Sequence, residues 1–251
     1  MDIYLDHNAT TPVLPQVAAA MADALARTGN PSSVHRFGRL VRRSVDEARE
    51  AVAALAGVSA ANVVFTSGGS EANNLAIRGF AERAFVSAVE HASVLDAVPD
   101  VHIIPVDGNG VVYLPAVREI LAGLDGTVVV SVMLANNETG VIQPVAQIAE
   151  IAHAAGAFHC DAIQAVGKRP VKLCELGADL MSVSAHKLGG PQGIGALVVR
   201  DGLDPEPLIR GGGQERRRRA GTENVPGIVG FGVAAQHAHE AANDYSVMLA
   251  G

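Results

Sequence analysis

Short apolar runs alternate with helical segments along most of this chain, and no other feature of the sequence constrains the fold as strongly. Seven runs have the length and composition of buried strands; they span residues 63–66, 84–89, 101–106, 127–135, 157–161, 180–184 and 196–199. Strands that are apolar on both faces and separated by helices are typical of a mostly parallel sheet with helices on both sides. We therefore predict a three-layer α/β fold.

The spacing of apolar residues predicts the helices. From Val34 to Leu55 they recur every three or four positions, and Gly57 follows as a stop signal. The apolar face of this helix is predicted to comprise Val34, Phe37, Val41, Val45, Ala48, Val52 and Leu55. Pro226 is well placed to start another helix, which continues through 233–242. The remaining helices are predicted at 71–82, 113–124 and 145–155.

Composition excludes several classes of protein. Apolar residues make up 49% of the 251, enough for a sizeable core, so a disordered chain is excluded. The net charge of −7 and the 4% of aromatic residues argue against nucleic acid and membrane surfaces as partners. Cys160 and Cys174 are too few for a disulfide framework, and the first residues lack the pattern of a secretory signal. We expect a cytoplasmic protein.

Polar residues collect where the predicted strands end. His91, Asn136, Asp161 and the pair His186–Lys187 each follow or end such a strand. Loops are commonly polar, so one such residue indicates little. The carboxyl ends of parallel strands meet at one edge of a sheet, where ligands bind, and we therefore expect these residues to share one pocket.

Lys187 is the candidate nucleophile of this pocket. A lysine amine becomes useful in catalysis when it forms a Schiff base with a carbonyl cofactor. The turn at 67–70 (SGGS), between a strand and a helix, could supply backbone N–H groups to a phosphate. An amine, an acid at a neighbouring strand end and phosphate donors are the three partners that pyridoxal phosphate requires. No His/Cys cluster has the spacing of a zinc site, and no metal is predicted.

Eight segments strengthen this interpretation. They are 4–11 (YLDHNATT), 29–33 (GNPSS), 65–74 (FTSGGSEANN), 90–94 (EHASV), 136–140 (NNETG), 161–164 (DAIQ), 184–187 (SAHK) and 221–224 (GTEN). In this order they resemble the cysteine desulfurases of the NifS/IscS type, in the class-V aminotransferase group of fold-type I pyridoxal-phosphate enzymes. One departure lies at 216–219, where four arginines stand in a segment in which the family usually has a glycine and a hydrophobic residue.

The resemblance implies a role for each residue of the pocket. Lys187 would bind the cofactor covalently, and His91 would stack on its ring and shuttle protons. Asp161 would pair with the ring nitrogen and Gln164 with the ring hydroxyl, while Asn136 would also line the cofactor site. The phosphate would be held by Gly69, Ser70, Ser184 and His186, joined by Thr222 from the partner subunit.

The resemblance also implies the activity. A homodimer would remove sulfur from L-cysteine, giving L-alanine and an enzyme persulfide for Fe–S cluster assembly, with an Fe–S scaffold or another sulfur acceptor as partner. A selenocysteine lyase, another class-V aminotransferase, or a truncated and catalytically silent cofactor-binding or interaction protein are the alternatives.

The two cysteines do not fit the sulfur-accepting role. Strand neighbours point to opposite faces, so Cys160, next to Asp161, is predicted to point away from the pocket into the core. Cys174 is predicted to be structural. The family's persulfide cysteine lies in a C-terminal small domain, which we expect to be absent or truncated, leaving an N-terminal segment at 1–15 and a cofactor-binding large domain at 16–251.

Overall fold

Seven strands form one sheet at the centre of the computed structural model, which describes residues 3–124 and 128–249, with side chains to residue 241. They are β1 Val63–Thr66, β2 Arg83–Ser87, β3 Val101–Ile104, β4 Val128–Ser131, β5 Gly156–Asp161, β6 Leu180–Ser184 and β7 Gly195–Val199. Their order is β1-β7-β6-β5-β4-β2-β3, and only the two pairings of β7 are antiparallel. The predicted mostly parallel sheet is confirmed; Thr127, the predicted start of β4, lies outside the described residues.

Helices cover both faces of the sheet. Within the described residues they are α1 Pro15–Leu25, α2 Arg36–Ala56, α3 Gly69–Arg78, α4 Ala92–Leu95, α5 Leu114–Leu121, α6 Val145–Ala152, α7 Leu173–Leu176 and α8 Val225–Leu249. Helices α2, α5, α6 and α8 share one apolar cluster with the sheet, whereas α3 and α4 pack on its other face. None of these described helices is both long and apolar enough to span a bilayer. The predicted three-layer α/β architecture is confirmed.

Three helices were not predicted, for two different reasons. Helix α1 is rich in alanine and buries only Val17 and Ala24, so its apolar periodicity is weak. Helices α4 and α7 are single turns, too short for any periodicity to register. Since α1 begins at Pro15, the predicted boundary between a segment at 1–15 and a domain at 16–251 falls at its start; the division itself stays a prediction.

Helix α2 was predicted correctly at its end and incorrectly at its start. It stops at Ala56 because Gly57 adopts a left-handed conformation with a φ of 69°. Val34 and Phe37, however, are 87% and 61% exposed and are not part of the buried face. Val34 precedes the helix, and Phe37 lies in its first turn, before the buried apolar side chains begin at Val41.

A buried ion pair closes the outer edge of β1. The guanidinium of Arg49 donates to both carboxylate oxygens of Glu215, at 2.6 and 2.7 Å, and also to the carbonyl of Val63 at 2.9 Å. Glu215 in turn accepts a hydrogen bond from the backbone N–H of Phe65. Because β1 pairs only with β7 in the described sheet, these two side chains satisfy the backbone groups that an edge strand leaves open.

A second buried carboxyl connects the ends of β2 and β4. Oε1 of Glu90 accepts hydrogen bonds from the hydroxyl of Ser87 at 2.8 Å and from the backbone N–H of Met133 at 2.6 Å. Its other oxygen is buried and has no hydrogen-bond partner among the described residues. Burial, followed by the negative charge of Asp161, raises the pKa of Glu90 to about 8, so this carboxyl is mostly protonated at neutral pH.

The ion pair predicts a large loss of stability on substitution. Glu215→Ala should lower the free energy of unfolding by about 3–5 kcal/mol, because it leaves the buried Arg49 charge without a partner. Glu47→Ala is the matched control, since Glu47 forms an exposed pair with Arg43, and its loss should stay below about 1 kcal/mol. Urea unfolding of both variants measures the difference. Equal losses of unfolding free energy in the two variants would show that burial of the Arg49–Glu215 pair contributes nothing to stability.

The raised pKa of Glu90 predicts a pH-dependent effect on stability. Between pH 4.5 and about 8 the unfolded chain has lost the Glu90 proton that the folded chain keeps, so wild-type stability falls as pH rises. The Gln side chain of the Glu90→Gln variant stays neutral. The free energy of unfolding of this variant, relative to wild type, should therefore increase by about 1.4 kcal/mol per pH unit in that window. Urea unfolding at pH 5, 6, 7 and 8 measures this gain.

Glu71→Gln is the opposite control for this experiment. Burial raises the pKa of Glu71, but hydrogen bonds from Arg219 and Ser67 outweigh it and lower the pKa overall. Its carboxylate therefore stabilises the fold at neutral pH, and that contribution is lost as pH falls. The deficit of Glu71→Gln should shrink in acid. A Glu90→Gln difference that does not change with pH would contradict the assignment of a protonated Glu90.

Candidate active site

A cavity of about 490 Å³ opens where β4, β5 and β6 end. Its lining comes from these strand ends, from the start of α3, from the loop after β2 and from the N-terminal segment; it comprises Asp6, Asn8, Ala9, Gly69, Ser70, His91, Ser93, Met133, Asn137, Glu138, Asp161, Ile163, Gln164, Ser184, His186 and Lys187. The structure thus brings His91, Asp161, His186 and Lys187 together, as the strand-end pattern predicted. Asn136 is the exception.

Asp161 forms the base of this cavity and is only 5% exposed. One carboxylate oxygen accepts from the side-chain amide of Asn73 at 2.7 Å, and the other from the backbone N–H of Ile163 at 3.0 Å. Burial raises the pKa of Asp161, and these hydrogen bonds together with the charge of Lys187 offset only part of the rise. A cationic group in the cavity would stabilise the ionised form, so the site is suited to a positively charged ring.

His91 is oriented by a chain of hydrogen bonds that also reaches Asp161. Nδ1 of His91 accepts from the backbone N–H of Ser93 at 3.1 Å and lies 2.8 Å from the Ser93 hydroxyl. That hydroxyl accepts from the same Asn73 amide that donates to Asp161. Because a backbone N–H can only donate, Nδ1 is an acceptor, and the neutral ring of His91 carries its hydrogen on Nε2.

Sequence reasoning did not single out Asn73. It lies within the 65–74 motif, four residues after Gly69, and this spacing puts both residues on one face of α3. The spacing was a usable signal, but nothing in it indicated which acceptors the amide would meet.

Lys187 ends the 3₁₀ turn Ala185–Lys187 that follows β6. Its ammonium donates to the carbonyl of Ala9 at 2.9 Å and to that of Asn8, so the N-terminal segment lies directly against it. Burial lowers the pKa of Lys187, although Asp161 and Asp6 act in the opposite direction. A lowered pKa increases the fraction of neutral, nucleophilic amine.

One side of the cavity is lined by groups suited to an anion. Gly69 and Ser70 are the first residues of the ten-residue helix α3, whose N-terminal end carries free N–H groups and a partial positive charge. The hydroxyl of Ser184 is buried and has no hydrogen-bond partner among the described residues. A Cβ at position 69 would lie 2.3 Å from the terminal methyl of Ile163, so a larger residue there would displace that side chain.

Three polar side chains hold the N-terminal segment over the cavity. Gln164 donates from Nε2 to the backbone carbonyl of Asn8 at 2.9 Å. Lys168 donates to the side-chain oxygen of Gln164 at 2.8 Å and to the side-chain oxygen of Asn8 at 3.0 Å. Asn8 in turn donates to the carbonyl of Asn137. Gln164 was predicted for this site, whereas Asn8 and Lys168 were not. A short polar motif does not reveal which distant loop will pack against the site.

Asn136 does not line the cavity, although it was predicted to. Its Oδ1 accepts from the backbone N–H groups of Glu138 and Thr139, and its Nδ2 donates to the carbonyl of Val89. These bonds form a local turn of the kind that asparagine favours. Asn136 lies instead on a second cavity of about 490 Å³, while its neighbours Asn137 and Glu138 reach the first.

Thr222 lies outside the cavity as well. It lines a separate cavity of about 230 Å³ next to Arg219, and its role toward a partner subunit stays a prediction. Cys160 is fully buried on the face of the sheet opposite Asp161, as predicted, and burial raises its pKa. Cys174, predicted to be structural, is exposed on α7 and belongs to no core cluster of the described residues.

Comparison with known proteins agrees with this geometry. The model of the aminotransferase class-V family matches residues 3–246. Cysteine desulfurase IscS of Dictyoglomus turgidum is 44% identical over 94% of this chain and 63% of its own length. The cysteine desulfurase of Cereibacter sphaeroides is 49% identical over 93% of this chain and 64% of its own. The chain therefore spans somewhat less than two thirds of these relatives.

Solved structures resemble the whole sheet and its helices. A NifS-like protein from Rickettsia africae superposes with a TM-score of 0.92 at 37% identity, covering 97% of this chain and 71% of that one. A structure of SspA in complex with cysteine superposes with a TM-score of 0.85 at 34% identity, over 94% and 73%. Class-V aminotransferases and cysteine desulfurases are pyridoxal-phosphate-dependent enzymes. Since the family model covers nearly all of its residues, this chain belongs to the class-V aminotransferase family.

Proposed function

We propose that this chain is the cofactor-binding part of a pyridoxal-phosphate-dependent cysteine desulfurase. The reaction removes sulfur from L-cysteine and yields L-alanine and an enzyme persulfide, whose sulfur passes to an Fe–S scaffold or another acceptor in the cytoplasm. One observation carries the proposal: Lys187, Asp161 and the anion-binding start of α3 line the same cavity. The names of the relatives support the choice of a desulfurase within the family.

The described residues fit the chemical groups of this cofactor. The unpartnered Ser184 hydroxyl and the first N–H groups of α3, at Gly69 and Ser70, suit a phosphate, and His186 lies beside them in the lining. The buried Asp161 carboxyl suits a protonated ring nitrogen. At about 4 Å and an effective dielectric constant near 20, that attraction is worth roughly 4 kcal/mol before desolvation. The NH₂ group of Gln164 suits the ring hydroxyl oxygen.

Each residue then has a distinct task. When bound, the cofactor supplies an aldehyde for an amine and a ring that accepts an electron pair. Lys187 provides the amine, and must give up a backbone carbonyl of the N-terminal segment to do so. Asp161 keeps the ring nitrogen protonated, and His91 holds a proton on Nε2, from which it can be moved. Asn73 keeps Asp161 and His91 in fixed relative positions.

The sulfur-accepting thiol is neither of the cysteines in this chain. Cys160 is buried on the far face of the sheet and Cys174 lies on α7, and neither lines the cavity among the described residues. We propose that the accepting cysteine belongs to the part of the longer relatives that this chain does not span. Residues 16–251 would then be the large domain and 1–15 its N-terminal segment.

Borohydride trapping tests the role of Lys187. Reduction of the chain saturated with pyridoxal phosphate should attach one cofactor, and peptide mapping should find it on Lys187, whose amine reaches the cavity and has a lowered pKa. Lys187→Ala should abolish the adduct, whereas Lys172→Ala, at an exposed site paired with Glu175, should leave it intact. An adduct on Lys168 or Lys172 in the wild-type chain would refute the assignment.

The proposed homodimer predicts that cofactor binding and association are coupled. Thr222 would complete the phosphate site of the partner subunit, and a ligand that binds only the assembled form stabilises it by mass action. Pyridoxal phosphate should therefore shift sedimentation toward the dimer. Thr222→Ala should weaken cofactor binding roughly tenfold, because a hydrogen bond to a charged group is lost, and should reduce the shift.

Thr28→Ala is the control, since Thr28 is exposed and does not line the described cavities. It should leave both the affinity for the cofactor and the sedimentation shift unchanged. A monomer that holds the cofactor as tightly as the dimer would contradict a site shared between subunits.

A further inference from the structure

The ammonium group of Lys168 lies behind the cavity and bonds to two side-chain amides. It donates to Oε1 of Gln164 at 2.8 Å and to Oδ1 of Asn8 at 3.0 Å. Gln164 and Asn8 line both the first cavity and the neighbouring one that contains Asn136, whereas Lys168 lines only the neighbouring one. Lys168 therefore reaches the proposed cofactor site through these two residues and does not line it itself.

The chemistry of an ammonium group decides how each amide is turned. An ammonium has donors and no acceptor, so it binds the oxygen side of a carboxamide and is repelled by the NH₂ side. With Lys168 bonded to Oε1, the NH₂ group of Gln164 faces away from it and donates to the carbonyl of Asn8 at 2.9 Å. The amide of Asn8 is fixed in the same way, and its NH₂ group donates to the carbonyl of Asn137 at 3.1 Å.

We propose that Lys168 is a positioning residue that keeps the NH₂ group of Gln164, and not its oxygen, directed toward the ring oxygen of the bound cofactor. The inference rests on the proposed function, because the orientation of the Gln164 amide affects binding only when a ligand in the cavity offers an acceptor. Toward an ionised ring oxygen a flipped amide would present a lone pair, and repulsion would replace a hydrogen bond. Residue 168 thus sets the strength of one cofactor contact from outside the cavity.

A double-mutant cycle on the full chain tests this mechanism. The variants are Lys168→Met, Gln164→Ala and the two combined, with Lys168→Arg as the conservative replacement that keeps a charged donor. The measurements are the dissociation constant of pyridoxal phosphate, by fluorescence titration, and the absorption maximum of the bound cofactor. Neither depends on turnover.

Lys168→Met should weaken cofactor binding about tenfold, equivalent to about 1.4 kcal/mol, and shift the absorption maximum. Lys168→Arg should restore both toward wild type. In the Gln164→Ala background, Lys168→Met should have little further effect, because its influence passes through that amide. If Lys168→Met does not fold, Lys168→Gln removes the charge in a side chain that still has a donor, and the same lack of additivity is expected.

The outcomes separate this inference from the proposed function. A wild-type chain that binds no pyridoxal phosphate would overturn both. A wild-type chain that binds it normally while Lys168→Met leaves affinity and absorption unchanged would overturn the inference alone. So would a Lys168→Met effect of equal size in the presence and absence of Gln164, because it would show that Lys168 acts by general packing or charge.

Discussion

The carboxyl of Asp161 is buried at the end of the central strand β5, where a negative charge is unfavourable. The rest of the candidate site depends on the groups that stabilise this charge. Burial disfavours its charge, and two hydrogen bonds support it among the described residues, from Asn73 and from the backbone of Ile163. Asn73 is supplied by α3, so that helix must pack where its first turn also faces the cavity. The end of the site that is suited to an anion and the acid at its base are thus positioned by one helix.

Two buried carboxyls in this structure avoid an unpaired buried charge in different ways. Glu215 is paired with the guanidinium of Arg49 in a two-pronged contact and remains part of an ion pair. Among the described residues Glu90 is paired with no cation, and its burial, followed by the charge of Asp161, raises its pKa and favours the protonated form. Two ionised carboxylates near each other in the interior would repel strongly. Within this pair of neighbouring carboxyls, a neutral Glu90 leaves Asp161 as the one able to respond to a cation in the cavity.

The segment that carries Glu215 is held under backbone strain. Glu215, Arg216 and Arg217 have φ values of 44°, 56° and 69°, in the left-handed region that residues other than glycine avoid. Each such residue costs about 1 kcal/mol or more. The buried ion pair and the hydrogen bond to β1 offset this cost. They hold in place the stretch that leads to Arg219, which pairs with Glu71 at the start of α3.

The sequence by itself determined the layered sheet and the contrast between Cys160 and Asp161. Apolar runs and the glycine after α2 are local signals, and strand neighbours alternate between faces whatever surrounds them. Only the tertiary structure decided that Phe37 is exposed, that Asn136 forms a turn, and that the carbonyl of Asn8 accepts from Lys187. It also decided the contacts of Asn73 and Lys168, because the partners of this amide and this ammonium are distant along the chain. Hydrogen-bond partners across 88 and 160 residues leave no periodicity in the sequence from which they could be predicted.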